Sequence, residues 1–269
     1  MRFGLIGHPI EHSLSPALFK AGYGGMYPYD LIITEDFEEA YRRFIDGYDG
    51  INVTAPFKEL ALKKADIISE ECRLVGAANI LIKTPQGITA YNSDFRGLVA
   101  MFRGLKGDEK RTRGVARFFH PLSDHEKTVL IIGAGGAGKA AKAAAEALGY
   151  ETTVINRTQY NPEIKPLSAF REEFSKADIV IYNLPVRIPE IDMLTEADLC
   201  PGKGKIILEA NYRNPSFDNG SIQRMVSMNP LIRHIDGREW LLQQAVTGYE
   251  IFTGETPDYE AMKAAIKSK

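Results

Sequence analysis

The sequence has only two cysteines, Cys72 and Cys200, far apart and in no CxxC pair. That excludes a disulfide scaffold and a cysteine-built zinc site. It leaves two reduced structural thiols and points to a reducing compartment. Neither sign of charge dominates. With a formal net charge of -2, bulk electrostatics offers no case for a nucleic-acid or membrane partner. No uncharged apolar run approaches the ~18 residues of a membrane span, and MRFGLIGHPIEH lacks the basic start and sustained apolar run of a signal peptide. A cytoplasmic protein is expected. Internal repeats and low-complexity tracts are also missing. Histidine is sparse. His8 and His12 are four apart, as metal ligands on a helix would be, but Pro9 lies between them and Gly7 precedes. No acidic partner set accompanies them, so no metal site is expected.

What remains is an ordinary globular composition, 44% hydrophobic and 25% charged. A chain of 269 residues suits two medium domains. Short apolar runs alternate with helical stretches. RFGLIG (2–7), YDLIIT (29–34) and GINVT (50–54) read as strands, and ANILIKT and GITAYN as two more joined by a PQG turn. A helix is expected after Ser15 as N-cap with Pro16 at its first position. Phe37, Ala40, Tyr41 and Phe44 have helical spacing, KELALKKADIIS (58–69) reads as one helix, and Phe95 to Leu105 as another. A charged stretch (106–127) reads as a solvated linker. A second alternating unit follows, with strands at 128–132, 152–156, 178–183 and 205–210, and the last part is mostly helical. The class is α/β.

TVLII, Gly133-Ala-Gly135-Gly-Ala-Gly138 and an alanine-rich stretch run in direct succession. This is a GxGxxG between a strand and a helix. Gly133 permits the tight turn, Gly135 the approach of a pyrophosphate, and Gly138 close helix–strand packing. The helix N-terminus offers free N–H groups and a positive dipole end. The GK spacing of a P-loop is present, but Ala140 stands where the magnesium-binding hydroxyl belongs, which excludes nucleotide hydrolysis. About 20 residues past the loop, an NAD site places a carboxylate. Here the strand ends in Asn156-Arg157-Thr158. An arginine attracts a 2′-phosphate that a carboxylate would repel, so NADP is expected over NAD.

Three polar clusters precede the loop: Ser13 with Ser15, Asn52-Val-Thr54-Ala-Pro56-Phe-Lys58, and Tyr91-Asn92-Ser93-Asp94. Strand ends of open α/β sheets are where ligands bind. Hydroxyls, amides, one lysine and one carboxylate suit a small polyhydroxy acid. Each cluster also has a structural reading, with Ser13 and Ser15 as caps and Asn92 and Asp94 starting a helix.

In this order the clusters resemble the shikimate dehydrogenase family over nearly the whole chain. The motifs are Gly7-His-Pro9-Ile-Glu-His12-Ser13-Leu-Ser15-Pro16, the NVTAPFK of Asn52–Lys58, Gly76-Ala-Ala-Asn79, Asn92-Ser-Asp94, the glycine loop with Asn156-Arg-Thr158, and the QAVTGYEIFTG that begins at Gln244. The resemblance implies Lys58 as the catalytic lysine and Asp94 as its partner. Ser13 and Ser15 would hold a substrate carboxylate. Asn52, Thr54, Asn79, Asn92 and Gln244 would bind hydroxyls, and Tyr212 would lie near the carboxylate. Gly133, Gly135, Gly136, Ala137 and Gly138 would hold the pyrophosphate, and Asn156, Arg157 and Thr158 the adenosine end. The sequence departs from the family pattern at Phe95, at Tyr182-Asn-Leu-Pro185-Val-Arg187, at Arg213, and at Trp240, where the family often has methionine.

The implied architecture is a substrate domain over 1–102, completed by helices 238–269, and a Rossmann-type NADP domain over 103–237, with a cleft between. The implied activity is NADPH-dependent reduction of 3-dehydroshikimate to shikimate by a monomer or homodimer. Two alternatives stand beside it: a quinate/shikimate dehydrogenase using NAD or NADP, and a non-catalytic nucleotide or shikimate sensor.

Overall fold

The computed structural model describes residues 1–105 and 127–267. The expected linker lies outside them except for Lys127, which is buried. The chain forms two compact units, Met1–Leu98 with Leu242–Lys269, and Val99–Leu241.

The first unit is built on strands β1 (Phe3–Gly7), β2 (Tyr29–Ile33), β3 (Gly50–Val53), β4 (Ile67–Ile68), β5 (Ile80–Thr84) and β6 (Gly87–Tyr91). They form one sheet in the order β2-β1-β3-β5-β6-β4. β1 pairs in parallel with both neighbours and is buried along its whole length, as an apolar run covered on both faces must be. Antiparallel pairs join β3 to β5 and β5 to β6. Helices α1 (Ser15–Gly22), α2 (Phe37–Gly47), α3 (Lys58–Lys63) and α4 (Glu70–Val75) connect the strands, and α5 (Ser93–Leu105) follows. α2 shows why such segments are helical. The Asp36 side chain accepts from the amides of Glu38 and Glu39, and Phe37, Ala40 and Phe44 bury one face. Much later in the chain, α10 (Gly237–Thr253) and α11 (Tyr259–Lys267) supply the rest of this core. The Phe252 ring stacks on Phe3 at 4.9 Å, and Met262 is fully buried.

The second unit holds β7 (Thr128–Ile132), α6 (Gly136–Ala147), β8 (Glu151–Asn156), β9 (Ile164–Pro166), α7 (Phe170–Lys176), β10 (Ile179–Tyr182), α8 (Glu196–Leu199), β11 (Lys205–Glu209), α9 (Asn219–Met228) and β12 (Ile232–Ile235). Its sheet is parallel throughout, in the order β12-β11-β10-β7-β8-β9. Leu130, Ile132, Phe170, Phe174, Val180, Ile207 and Phe217 form the centre of its core. Burying a side chain of this kind contributes about 1.5–3 kcal/mol. The chain runs outward one way from β7 and then the other way from β10. The boundary between those strands is the topological switch point of a doubly wound sheet, where ligands bind beyond the carboxyl ends.

Local details differ from the sequence reading. The helix expected over 58–69 stops at Lys63, because Asp66 accepts the Ile88 amide at 2.7 Å and ties the chain to β6. Ile67 and Ile68 then add an edge strand, pairing with Thr89 and Ala90. Ser15 is the first helical residue of α1 and not its cap. The Ser13 hydroxyl accepts the Ser15 amide instead, at 3.2 Å. The helix expected from Phe95 begins at Ser93, because Asn92 accepts the Phe95 amide at 3.0 Å. β9, β12 and the Asp218-capped α9 were not separable by pattern from their loops.

Candidate active site

Residues of the first unit converge at the ends of β3 and β6. β3 runs into the loop Thr54–Phe57, and α3 begins at Lys58. β6 runs into Asn92, and Asp94 sits in the first turn of α5. The Lys58 ammonium donates to Asp94 Oδ2 at 2.5 Å, with the two side chains 17% and 7% exposed. At that burial the pair is held by the fold and is not a screened surface contact, and removing one partner leaves the other charge badly solvated.

The asparagines hold this frame. Asn92 is fully buried. Its amide donates to the Ala77 carbonyl at 2.9 Å while its oxygen caps α5, which fixes the turn carrying Asp94. Asn79 accepts the Ser93 amide at 2.7 Å and donates to the Ser93 hydroxyl at 3.1 Å. Asn52 accepts from the Tyr29 hydroxyl at 2.7 Å and its NH₂ donates to the Asn79 carbonyl at 3.4 Å, so its second N–H is what it offers a ligand. Thr54 lies against Gly7, where any Cβ would collide with the threonine methyl. The serine loop is therefore seated beside the NVTAP loop. Ser13 donates to the Ser15 hydroxyl at 3.1 Å, and the Tyr249 hydroxyl donates to the Ser15 carbonyl at 3.1 Å. Burial pushes the Tyr29 and Tyr249 phenols well above their ordinary range, so both are neutral donors. Gln244 is carried on α10. A Cβ on Gly97, in α5, would lie 2.8 Å from its backbone nitrogen, so glycine there permits the approach of the two helices.

Tyr29 and Tyr249 are the functional neighbours that sequence reasoning missed. Each lies in an aromatic-rich stretch whose pattern speaks only of core. His8 Nδ1 faces Glu35 at 3.5 Å, and among the described residues no group of three or more His, Cys, Asp or Glu comes together.

The glycine loop lies in the second unit, at the switch point. Gly133 has φ +100°, a conformation that favours glycine, and packs against Leu184 after β10. A Cβ on Gly138 would run into the Gly133 carbonyl oxygen. Gly135 is different. Its φ of -73° suits any residue, and no protein atom lies within 4 Å of where its Cβ would be. Packing does not demand glycine at this position, whereas a phosphate ligand does, and the residues present therefore fit a dinucleotide. Gly136, Ala137 and Gly138 open α6, whose first amides are free for that ligand.

Asn156 is used internally. Its oxygen accepts the Ala134 amide at 3.4 Å and its NH₂ donates to the Thr158 carbonyl at 2.8 Å. Arg157 and Thr158 are exposed beside it. Tyr212 lies in this second unit, on the loop after β11, and Trp240 is buried here. The loop after β10, where the family pattern is broken, is clasped by Arg187. Its guanidinium donates to Asp192 at 2.5 Å, to the Ser221 hydroxyl at 2.7 Å and to the Ser216 carbonyl.

Family models match three stretches. Residues 5–81 match the shikimate dehydrogenase substrate binding domain, and 237–267 the shikimate 5'-dehydrogenase C-terminal domain. Residues 96–208 match the NAD binding domain of D-isomer specific 2-hydroxyacid dehydrogenases. Together with the glycine loop, these matches define a two-domain, nicotinamide-dinucleotide-dependent oxidoreductase. Among curated relatives, the shikimate dehydrogenase (NADP(+)) of Caldanaerobacter subterraneus is 28% identical over 99% of this chain and 96% of its own. That of Bacillus subtilis is 26% identical over 99% and 96%. A Thermus thermophilus shikimate 5-dehydrogenase solved with shikimate superposes at TM-score 0.76, with 25% identity over 100% of this chain and 98% of its own. A Corynebacterium glutamicum quinate dehydrogenase solved with NAD has the same fold, at TM-score 0.77 and 21% identity over 100% and 99%. The chain belongs to the shikimate dehydrogenase family.

Proposed function

We propose that the chain catalyses the reversible, NADPH-dependent reduction of 3-dehydroshikimate to shikimate, in the cytoplasmic shikimate pathway of aromatic amino-acid biosynthesis. The observation that carries this is the buried Lys58–Asp94 pair at 2.5 Å, framed by Asn52, Asn79 and Asn92 at the strand ends. NADPH, when bound, supplies the hydride that goes to the ketone carbon.

The chain's own residues supply the rest. Lys58 donates the proton that the carbonyl oxygen takes up, and accepts it back in the oxidation direction. Asp94 acts through its position, in contact with the Lys58 ammonium. Its work is to hold Lys58 in place and to accept a substrate hydroxyl. Asn52 offers its second N–H to another hydroxyl, with Thr54, Asn79 and Gln244 around it. Ser13 and Ser15 bind the carboxylate, with Tyr212 assigned to the same end. Asn92 acts from beneath by fixing the turn of Asp94. In the second unit, the amides of Gly135, Gly136, Ala137 and Gly138 take the pyrophosphate, while Gly133 makes the turn, its own amide donating to the Ile155 carbonyl at 2.9 Å. Arg157 and Thr158 take the adenosine end, and Asn156 braces the loop.

The test follows nicotinamide absorbance with shikimate or quinate paired with NADP or NAD. Turnover with shikimate and NADP that Lys58→Ala abolishes is the expected result. Preference for quinate or NAD moves the chain to the quinate branch of the fold. Ligand binding without turnover by any pair makes it a sensor.

A further inference from the structure

The Tyr160 hydroxyl donates to the carbonyl oxygen of Ala134 at 2.7 Å. Ala134 is the second residue of the glycine loop, and the Asn156 side chain accepts from its amide. Both polar groups of this residue are therefore gripped from β8 and the loop after it. The Ala134–Gly135 peptide is trans. Across a trans peptide, the carbonyl and the following N–H point in opposite directions. Fixing the Ala134 carbonyl on Tyr160 therefore aims the Gly135 N–H to the other side. That N–H takes no hydrogen bond among the described residues, and the space above Gly135 is open.

The Tyr160 ring itself is 55% exposed and belongs to no core cluster, so packing does not account for its place. It stands instead at the wall of a cavity of about 490 Å³ between α6 and β8, lined also by Lys139, Lys142 and Asn161.

We propose that Tyr160 is a positioning residue for the dinucleotide pyrophosphate: its hydroxyl sets the Ala134–Gly135 peptide so that the Gly135 N–H is presented before the ligand arrives. This rests on the dinucleotide reading of the loop. A pre-set donor spares the ligand the cost of ordering the loop, which appears in the affinity.

Binding of NADPH, ADP and adenosine 2′-monophosphate is measured by calorimetry and by competition, on the whole chain and its Tyr160→Phe and Arg157→Ala variants. Tyr160→Phe removes one neutral hydrogen bond, and its affinity for NADPH and ADP falls together by about 5-fold. Adenosine 2′-monophosphate has no pyrophosphate, so Tyr160→Phe leaves its affinity unchanged while Arg157→Ala lowers it. The melting temperature of Tyr160→Phe falls by no more than a few degrees, because the ring is exposed and only one neutral hydrogen bond is lost. Unchanged NADPH affinity in Tyr160→Phe overturns the proposal. So does an equal loss for the 2′-monophosphate, which would put the tyrosine against the adenosine. Failure of the wild-type chain to bind any of the three refutes the dinucleotide reading as well.

Discussion

The glycine loop separates two reasons for being glycine, and alanine substitutions tell them apart. At Gly138 an added methyl meets the Gly133 carbonyl oxygen, a backbone atom that cannot swing away. Overpacking of this kind costs about 1–3 kcal/mol. For a domain of this size each kcal/mol lowers the melting temperature by about 2–4 °C. At Gly135 the methyl meets no protein atom and φ is -73°. Alanine gains from a stiffer unfolded chain but is a poorer N-cap than glycine, so stability stays within about 1 kcal/mol of wild type. The same methyl stands where a pyrophosphate must approach, and loss of those contacts lowers NADPH affinity by more than about 10-fold. The assay is a thermal melt of each variant with and without NADPH. Gly138→Ala melts early but still gains stability from NADPH, whereas Gly135→Ala melts normally and its gain at saturating NADPH is smaller than that of wild type by about 1.4 kcal/mol or more. If Gly135→Ala melts as early as Gly138→Ala, or still responds to NADPH like wild type, the distinction is wrong.

Other outcomes follow from the same geometry. Asp94→Asn keeps the shape of the site and lowers kcat for shikimate oxidation by about 10²-fold or more, read in steady-state kinetics, because the lysine loses its fixed position. Tyr29→Phe frees the Asn52 amide to flip. The KM for shikimate rises by about 5-fold while the KM for NADP stays put, and equal rises in both would refute this role. Arg157→Ala weakens NADPH by about 10-fold or more and leaves NADH nearly unchanged. Burial works to raise the Asp178 pKa, but Lys203 and the amide and hydroxyl of Thr128 outweigh it and hold the carboxyl below its ordinary value. Its folded pKa lies below the unfolded one, so its contribution is complete above about pH 4 and fades as pH falls through the folded value. The stability gap between wild type and Asp178→Asn, followed by denaturant melts, closes on that acid limb.

Strands and the glycine loop were legible because buried runs such as TVLII and the glycines around them are dictated locally. Lys58 and Asp94 were legible as residue types, and their meeting depends on β3 and β6 ending side by side through β5. Where a signal was shared between outcomes, it misled. The apolar spacing of KELALKKADIIS suits a helix, but Asp66 finds the Ile88 amide, a partner that no local pattern can name. Ser15 looks like a cap, yet it is the first helical residue and its own amide donates to the Ser13 hydroxyl. Tyr29, Tyr160 and Tyr249 stayed hidden for a related reason. A tyrosine reads as apolar bulk, and its one hydroxyl acts at the far end of a ring on a residue distant in sequence.

The first unit is discontinuous, and this orders events during synthesis. Residues 1–98 leave the ribosome early, yet Phe3 lacks the Phe252 ring and Ser15 lacks the Tyr249 hydroxyl until α10 is made. The whole second unit is translated in the interval, as one uninterrupted segment. The dinucleotide half can therefore complete its core while the substrate half waits with apolar surface uncovered. A chain truncated before residue 242 and released should already resist protease over residues 127–241, while its first 98 residues are still cut.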